Sequence, residues 1–174
     1  MAEELPVTHH TEIFHTRHCT YNLHVHLVFV VKYRKKIFTA EILKDLKIIF
    51  ETICLELDAD LIEFDGEQDH VHLLILYPPK LAISDLVFRL KGVSSRLIRQ
   101  RNYHSVTTEL WGHHLWSPSY FAASCGGAPI SIIRQYIENQ NTPDSAPYIP
   151  GLKPGVLRRF FDKVIDQTKR IAGL

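Results

Sequence analysis

The chain has 174 residues, 45% of them hydrophobic and 22% charged, so it can bury a core and is not a disordered chain. No apolar run approaches the roughly 18 residues that span a membrane, and the first ten residues lack the basic and apolar stretches of a secretory signal. Three cysteines without a Cys-x-x-Cys pair favour neither a disulfide framework nor a zinc ribbon. We therefore expect a cytoplasmic protein without a membrane partner.

The net charge of +1 conceals an asymmetry between the two halves of the chain. Residues 1–80 hold 8 Lys and Arg against 13 Asp and Glu, a balance of −5, whereas residues 81–174 hold 12 against 6, a balance of +6. The basic half suggests a surface that can face phosphate, although such charges also occur on faces that are simply solvated.

The first half of the chain alternates between strand and helix patterns. Tyr21–Lys32 is rich in Val, Leu and Phe and predicts a largely buried strand. Thr39 is a candidate cap for a helix that runs to about Leu57, because apolar residues then recur at helical spacing. Asp60–Asp65 and His70–Tyr77 predict two strands joined by a turn.

In the second half, Ser84 is a candidate cap for a helix over Asp85–Arg101. Tyr120–Cys125 predicts a further strand, and about Ser131–Gln140 a third helix. The order β-α-β-β-α-β-α predicts an α+β fold with an antiparallel sheet and helices packed on one face, of the ferredoxin-like or RRM-like kind.

The chain is expected to form one domain with a C-terminal addition. Residues 1–141 hold the predicted sheet and helices behind a polar lead-in. Residues 142–174 contain a proline-rich linker, followed by a short basic helix predicted over Val156–Ile171.

Two His-x-His pairs are candidate metal ligands. Residues i and i+2 of a strand share a face about 6.6 Å apart, so two imidazoles can converge on one ion or can simply be packed. His24 and His26 lie inside an apolar run, whereas His70 and His72 follow Asp69 and open a strand. The second pair is therefore the better candidate.

The predicted third helix carries a possible nucleophile. Tyr136 and Gln140 are four residues apart and share a helix face. A tyrosine oxygen can attack phosphorus and form a covalent phosphodiester, and Gln140 can add an oxygen ligand to two imidazoles. Tyr136 can equally be an amphipathic packing residue.

Taken together, these motifs resemble the single-tyrosine HUH transposases of small bacterial insertion sequences. The resemblance runs in order over about residues 18–141. It rests on HLVFVVKYRKKIF (His26–Phe38), DHVHLLI (Asp69–Ile75), DLVFRLKGVSSRLI (Asp85–Ile98), LWSPSYFAAS (Leu115–Ser124) and YIENQ (Tyr136–Gln140).

The resemblance implies an enzyme that binds single-stranded DNA with hairpins near the ends of an insertion sequence. It cuts one strand and rejoins DNA through a 5′-phosphotyrosine link, without a nucleotide cofactor. By the same resemblance, Tyr136 is the nucleophile, His70, His72 and Gln140 are metal ligands, and Mg²⁺ or Mn²⁺ is the ion.

The resemblance also implies a homodimer with joined sheets, in which the tyrosine helix of one subunit can serve the other. Gly126–Pro129 precedes that helix and is a candidate hinge, although the same residues suit an ordinary turn. The family tends to have a Val-Gly turn here, so this stretch departs from its pattern.

The predicted DNA contacts are less specific than the catalytic motifs. Candidate phosphate contacts are Lys32, Arg34, Lys35, Lys91, Arg96 and Arg99. Candidate residues for stacking on unpaired bases are Trp111, Trp116 and Phe121, each of which can instead pack in a core.

Three alternatives to a transposase fit less of the sequence. A replication initiator or relaxase commonly uses a third histidine or a second tyrosine, and Tyr120 and Tyr148 have no motif support. A module that binds DNA or RNA hairpins without cutting them would not need the intact set of four site residues. A two-histidine phosphoesterase needs His-x-Ser/Thr motifs on separate strands, whereas 9–11 and 18–20 lie together in the lead-in.

Overall fold

The protein is described here by a computed structural model that covers residues 14–15, 17–110, 112 and 114–124. Tyr136, Gln140, the candidate hinge and residues 142–174 lie outside the described residues. The elements in chain order are β1 (Phe14–His15), β2 (Thr20–Tyr21), β3 (His24–Val30), a 3-10 helix (Lys32–Arg34), α1 (Ala40–Glu56), β4 (Asp60–Gly66), β5 (His70–Leu76), α2 (Ile83–Gln100), α3 (His104–Glu109) and β6 (Phe121–Ser124).

Four strands form the main sheet in the order β4-β5-β3-β6, and every neighbouring pair is antiparallel. The first and third strands of the β-α-β-β-α-β unit lie at the centre, which is the ferredoxin-like arrangement. The predicted α+β fold with an antiparallel sheet is confirmed. β1 and β2 form a separate two-stranded sheet.

The alternation of side chains along β3 and β5 divides the sheet into two different faces. Val25, Leu27 and Phe29 join a hydrophobic core with residues of α1 and α2, as do the alternate residues of β5. The intervening positions lie on the opposite face. His26, His70 and His72 are therefore on the face turned away from these helices.

The two long helices begin for different reasons. The Thr39 hydroxyl accepts a hydrogen bond from the Ile42 backbone N–H at 3.3 Å, which confirms the predicted cap of α1. The predicted Ser84 cap of α2 is wrong, because the helix begins at Ile83 with Ala82 as its extended N-cap residue and no side-chain cap bond. Ile83 packs against the core, and this burial extends the helix past the serine.

The remaining elements differ from the sequence prediction at the strand ends. The single strand expected over Tyr21–Lys32 is wrong in its extent, because Asn22 and Leu23 separate β2 from β3 and the chain turns into a 3-10 helix at Lys32. The β1–β2 pair and α3 were not predicted. They are short, so they present too few residues for a periodic pattern.

Trp116 packs in the core. Its ring lies edge-on to Phe29 and Phe38, and its Nε1–H donates to the Ser94 hydroxyl at 2.9 Å. Only 4% of Trp116 is exposed. Its role is therefore core packing and not stacking on unpaired bases. Trp111 lies outside the described residues.

Gly66 allows β4 and α1 to approach the start of β5. A Cβ atom at this position would lie 2.7 Å from Leu43 Cδ2 and 3.3 Å from the His70 carbonyl oxygen. A side chain here would therefore require Leu43 to move and would crowd the backbone at the start of β5. Within the described part of the chain, no helix is both long and apolar enough to cross a membrane.

The buried thiol of Cys54 gives a test of the packing of α1. Burial raises the pKa of Cys54 to about 12, and the nearby charges of Asp60 and Glu51 act in the same direction. The unfolded chain loses this proton near pH 9, so the stabilising contribution of the thiol falls as pH rises from about 9 to about 12. We expect Cys54→Ala to be less stable than the wild type by about 1 kcal/mol at neutral pH. This gap should vanish or reverse at about pH 10.5, where ionisation of the unfolded thiol removes about 2 kcal/mol of stability from the wild type.

Urea unfolding at both pH values measures the gap. Cys19→Ala is the matched control, because Cys19 is exposed and its replacement should leave the pH dependence unchanged. A gap that stays constant between the two pH values would contradict the buried placement of Cys54.

Candidate functional site

The predicted ligands His70 and His72 lie at the start of β5, on the sheet face turned away from the helices. They are 8% and 3% exposed, and their ring centroids are 5.0 Å apart with the planes at 76°. This proximity follows from their i, i+2 spacing on a strand. The structure is therefore compatible with the sequence prediction that the two imidazoles can converge on one metal ion.

A carboxylate and a guanidinium orient His70. Its Nδ1 lies 2.6 Å from Asp69 Oδ1, and the other Asp69 oxygen accepts from Arg34 Nε at 2.8 Å. Burial opposes the charge of Asp69, but the hydrogen bonds from Arg34 and His70 outweigh it and hold the pKa of this carboxyl below its usual value. With Nδ1 engaged, the second ring nitrogen, Nε2, is the atom available for a metal ion.

Arg34 reaches Asp69 from a strained turn. Tyr33 and Arg34 both have left-handed backbone conformations, with φ of 61° and 51°, which cost roughly 1 to 3 kcal/mol each. Backbone hydrogen bonds from Val31 N to Asp69 O (2.8 Å) and from Phe38 N to Gln68 O (2.9 Å) fix both ends of the turn beside β5. The loop thus holds a cation next to the carboxylate that orients His70.

His72 is held by a third histidine that sequence reasoning assigned to a separate pair. His26 Nε2 lies 3.1 Å from His72 Nδ1, and the two rings are nearly parallel, at 17°. Burial lowers the pKa of His26 to about 4 and that of His72 well below its usual value, where the charges of His26 and His70 add to the effect. Both imidazoles are therefore neutral at pH 7, as a metal ligand must be.

The link between His26 and His72 depends on strand pairing. Val28 is the direct partner of His72 across β3 and β5, so His26 is the next residue on the same face and lies diagonally opposite. The sequence predicted the two His-x-His pairs on two different strands, which was the only available signal. The pairing and register that connect them are tertiary properties.

The available nitrogen atoms fit a divalent cation. His72 Nε2 is buried and has no hydrogen-bond partner among the residues that the structure describes, and His70 also has its Nδ1 engaged. Neutral imidazoles suit Mn²⁺ and related transition metals better than Mg²⁺, which prefers oxygen. Gln140, the predicted oxygen ligand, lies outside the described residues.

A second grouping near the same place is less suited to a cation. Ligand atoms of Glu67, Asp69 and His70 lie within 4.8 Å of one another. However, Asp69 already accepts hydrogen bonds from Arg34 and His70, and a guanidinium at 2.8 Å repels a metal ion. We therefore assign Asp69 an orienting role.

The predicted phosphate contacts fall into two groups. Lys32, Lys91, Arg96 and Arg99 line one cavity of about 1080 Å³ beside α2. By contrast, Arg34 is directed to Asp69, and Lys35 forms an ion pair with Glu109 at 3.1 Å. The structure thus brings Lys91, Arg96 and Arg99 of α2 together with Lys32. Arg34 and Lys35 are engaged elsewhere.

Lys91 stabilises the wall of this cavity. Its Nζ donates to the backbone carbonyls of Ser117, Pro118 and Ser119, the last two at 3.2 and 3.1 Å, and burial lowers its pKa to about 8. Three carbonyl acceptors occupy the three donors of an ammonium group. In this conformation Lys91 holds the segment before β6.

Aromatic and basic side chains border the cavity. Phe88 is 77% exposed and Tyr120 37%, and the Nε and Nη2 atoms of Arg99 are buried without a hydrogen-bond partner among the described residues. Phe88 was not among the residues predicted from the sequence. The available signal was its position off the apolar stripe of α2, since a large apolar residue on an exposed helix face needs an explanation.

The fold and this pair of histidines define the class expected from the sequence. A ferredoxin-like sheet carries two imidazoles on the face away from its helices, with both Nδ1 atoms engaged.

Comparison with known proteins gives the family. Residues 19–140 match the family described as "Transposase IS200 like". The chain is 36% identical over 121 residues to the ISDra2 transposase TnpA of Deinococcus radiodurans, over 70% of this chain and 86% of that protein. It is 28% identical over 123 residues to the transposase for insertion sequence element IS200 of Salmonella typhimurium, over 71% of this chain and 80% of that protein.

Solved structures agree in fold. A Deinococcus radiodurans R1 protein assigned as a transposase superposes with a TM-score of 0.60 at 33% identity, over 74% of this chain and 98% of that one. A REP-associated tyrosine transposase bound to a REP hairpin superposes with a TM-score of 0.50 at 11% identity, over 67% and 64%. The chain belongs to the IS200-like transposase family, which places it among DNA-cleaving enzymes.

The orienting role of Asp69 can be tested by metal binding alone. We expect Asp69→Asn to weaken Mn²⁺ binding by about 10-fold or more, because it removes the charge that fixes the His70 ring through Nδ1. Isothermal titration calorimetry of the metal-free protein with Mn²⁺ measures this effect. Glu67→Gln is the control and should leave the affinity unchanged; a large loss in that variant would instead support the grouping of Glu67, Asp69 and His70 as the cation site.

Proposed function

We propose that this transposase cuts and rejoins single-stranded DNA at the ends of an insertion sequence through a 5′-phosphotyrosine intermediate on Tyr136. The observation that carries the proposal is the buried His70–His72 pair. Each Nδ1 is engaged, and Nε2 of His72 is buried without a hydrogen-bond partner among the described residues. The roles of Tyr136 and Gln140 rest on the resemblance of YIENQ to the family motif.

Covalent catalysis by tyrosine conserves the energy of the broken bond. The Tyr136 oxygen attacks the scissile phosphorus, a bond from phosphorus to the tyrosine oxygen forms, and the bond to the departing 3′ oxygen breaks. Tyr136 loses its hydroxyl proton in this step, and the departing 3′ oxygen takes up a proton and leaves as a hydroxyl, so that protons balance. A 3′-hydroxyl later attacks the phosphotyrosine and reverses these changes, so no nucleotide cofactor is required.

His70, His72 and Gln140 would hold Mg²⁺ or Mn²⁺. When bound there, a divalent ion would supply Lewis-acid polarisation of the phosphate and would stabilise the charge on the departing oxygen. The protein's own contribution is to engage Nδ1 of both imidazoles, so that Nε2 is the ring nitrogen that can face a ligand. Burial of His72 and the hydrogen bond from His70 to Asp69 support that role.

The cavity beside α2 is the proposed DNA contact. Lys32 and Arg96 supply positive charge, and the exposed ring of Phe88 offers a stacking surface. Phosphate contacts hold the strand without reading its sequence, whereas aromatic rings stack on unpaired bases. The hairpin substrate follows from the resemblance, and a protein that shares this fold is itself bound to a hairpin.

Two further expectations belong to the same proposal. A homodimer with joined sheets would let the tyrosine helix of one subunit complete the site of the other, with Gly126–Pro129 as the hinge. Residues 142–174 would follow the transposase domain as a proline-rich linker and a basic helix. The protein would act in the cytoplasm, where chromosomal DNA of a bacterial or archaeal cell lies.

The covalent intermediate can be detected directly. Labelled single-stranded oligonucleotides from the DNA flanking the coding region are incubated with the wild type or Tyr136→Phe, with Mn²⁺, Mg²⁺ or EDTA. We expect a protein–DNA adduct on a denaturing gel only with wild type and a metal, because Phe lacks the nucleophilic oxygen.

Each other outcome identifies a different error. An adduct that persists in Tyr136→Phe would assign the nucleophile to another tyrosine. Tight hairpin binding without an adduct in either protein would favour a module that binds DNA or RNA hairpins without cutting. An adduct formed equally in EDTA would remove the metal from the proposal.

The DNA contact is tested by salt dependence. We expect Arg96→Gln to weaken binding of a labelled DNA hairpin similarly for all sequences and to reduce the slope of log affinity against log salt by about 1, because one phosphate contact is lost. Fluorescence anisotropy in a salt series measures the slope. Lys44→Gln removes the same charge from an exposed position of α1 outside the cavity, and an equal effect of both substitutions would show that only net charge matters.

A further inference from the structure

The contact between His26 and His72 restricts the position of one proton. The two nitrogens are 3.1 Å apart, so a hydrogen bond requires that one carries hydrogen and the other accepts. In a neutral imidazole, one nitrogen is a donor and the other an acceptor. The direction of this hydrogen bond therefore decides which nitrogen of His72 keeps a lone pair.

The surroundings favour one of the two directions. If His26 donated, His72 would carry its hydrogen on Nε2, which is buried and has no acceptor among the described residues. A buried donor without a partner is costly. If His72 Nδ1–H donates to His26 Nε2, the lone pair of His72 lies on Nε2 and no donor is left unpaired there.

His70 is arranged in the same way by a different group. Its Nδ1 faces the Asp69 carboxylate at 2.6 Å, and a carboxylate can only accept. In their neutral forms, both candidate ligands would then carry hydrogen on Nδ1 and a lone pair on Nε2. The Asp69 carboxylate accepts the Nδ1–H of His70. The His26 imidazole would accept the Nδ1–H of His72 in the same way.

We propose that His26 is a positioning residue that fixes the tautomer and ring orientation of His72 by accepting its Nδ1–H. The proposal rests on the proposed function in one respect, that His72 is a metal ligand. Its Nε2 is directed at His72, so this nitrogen is not available to bind the metal ion. Because His26 lies on β3, the proposed metal site depends on the pairing of β3 with β5 as well as on the His-x-His motif of β5.

The tautomer can be read without metal or DNA. In long-range ¹H–¹⁵N correlation spectra of the metal-free protein, we expect His72 to be protonated on Nδ1 and not on Nε2. His26→Leu fills the position with an apolar side chain and removes the acceptor. In this variant, His72 should lose its preference for the Nδ1–H tautomer. Observation of an Nε2–H tautomer for His72 in the wild type would overturn the proposal.

Metal affinity gives the second readout. We expect His26→Leu to weaken Mn²⁺ binding by about 10- to 100-fold, the usual effect of removing a group that orients a ligand. His26→Gln should recover most of that loss, because its amide oxygen can take the place of Nε2. Thermal unfolding in EDTA confirms that each variant is folded, and equal losses in both variants would indicate that His26 only packs.

His24→Leu is the matched control. His24 lies two residues earlier on the same face of β3, opposite Leu76 and away from His72, so its replacement should change neither the tautomer nor the affinity. A wild type that binds no Mn²⁺ would contradict the metal site of the proposed function, while the spectra would still decide the role of His26. A wild type that binds Mn²⁺ but forms no DNA adduct would leave His26 supported and the cleavage reaction refuted.

Discussion

The register between β3 and β5 is the constraint on which the site depends. Val28 pairs with His72 and Val30 with His70, which sets the candidate ligands on one face and the core residues on the other. A shift of one residue would turn the imidazoles toward the helices and the core residues outward. Burial of the alternate residues against α1 and α2 therefore specifies the register of β3 and β5. The same register places the histidines on the opposite face.

Periodic patterns in the sequence were sufficient to predict the fold, but not the support of the site. The strands, α1 and the His70–His72 pair follow from local spacing, since alternation and helical repeats are properties of a single segment. The link to His26 depends on pairing between strands, and the role of Arg34 on a turn with an unusual backbone. The start of α2 was misplaced because burial of Ile83 outweighed the capping preference of Ser84.

Positive charge in this chain serves two purposes that composition cannot separate. Arg34 balances the carboxylate beside His70, and Lys91 binds the carbonyl groups that precede β6. Both therefore stabilise local structure. The cavity beside α2 retains the exposed Arg96 and the buried guanidinium of Arg99. An estimate of DNA affinity from the number of basic residues would be too high, because part of that charge is used within the protein.

The left-handed turn at Tyr33 and Arg34 lowers the stability of the folded chain but positions the guanidinium that aligns Asp69 with His70. Its backbone strain raises the energy of the folded chain, so glycine at position 33 would relieve part of it. A selection for heat resistance alone would favour such relaxed turns. A relaxed turn would also hold the Arg34 guanidinium less firmly against Asp69, which orients His70. Stabilised variants of this protein should therefore be chosen with metal affinity as a second criterion, since the two properties compete within four residues of the end of β3.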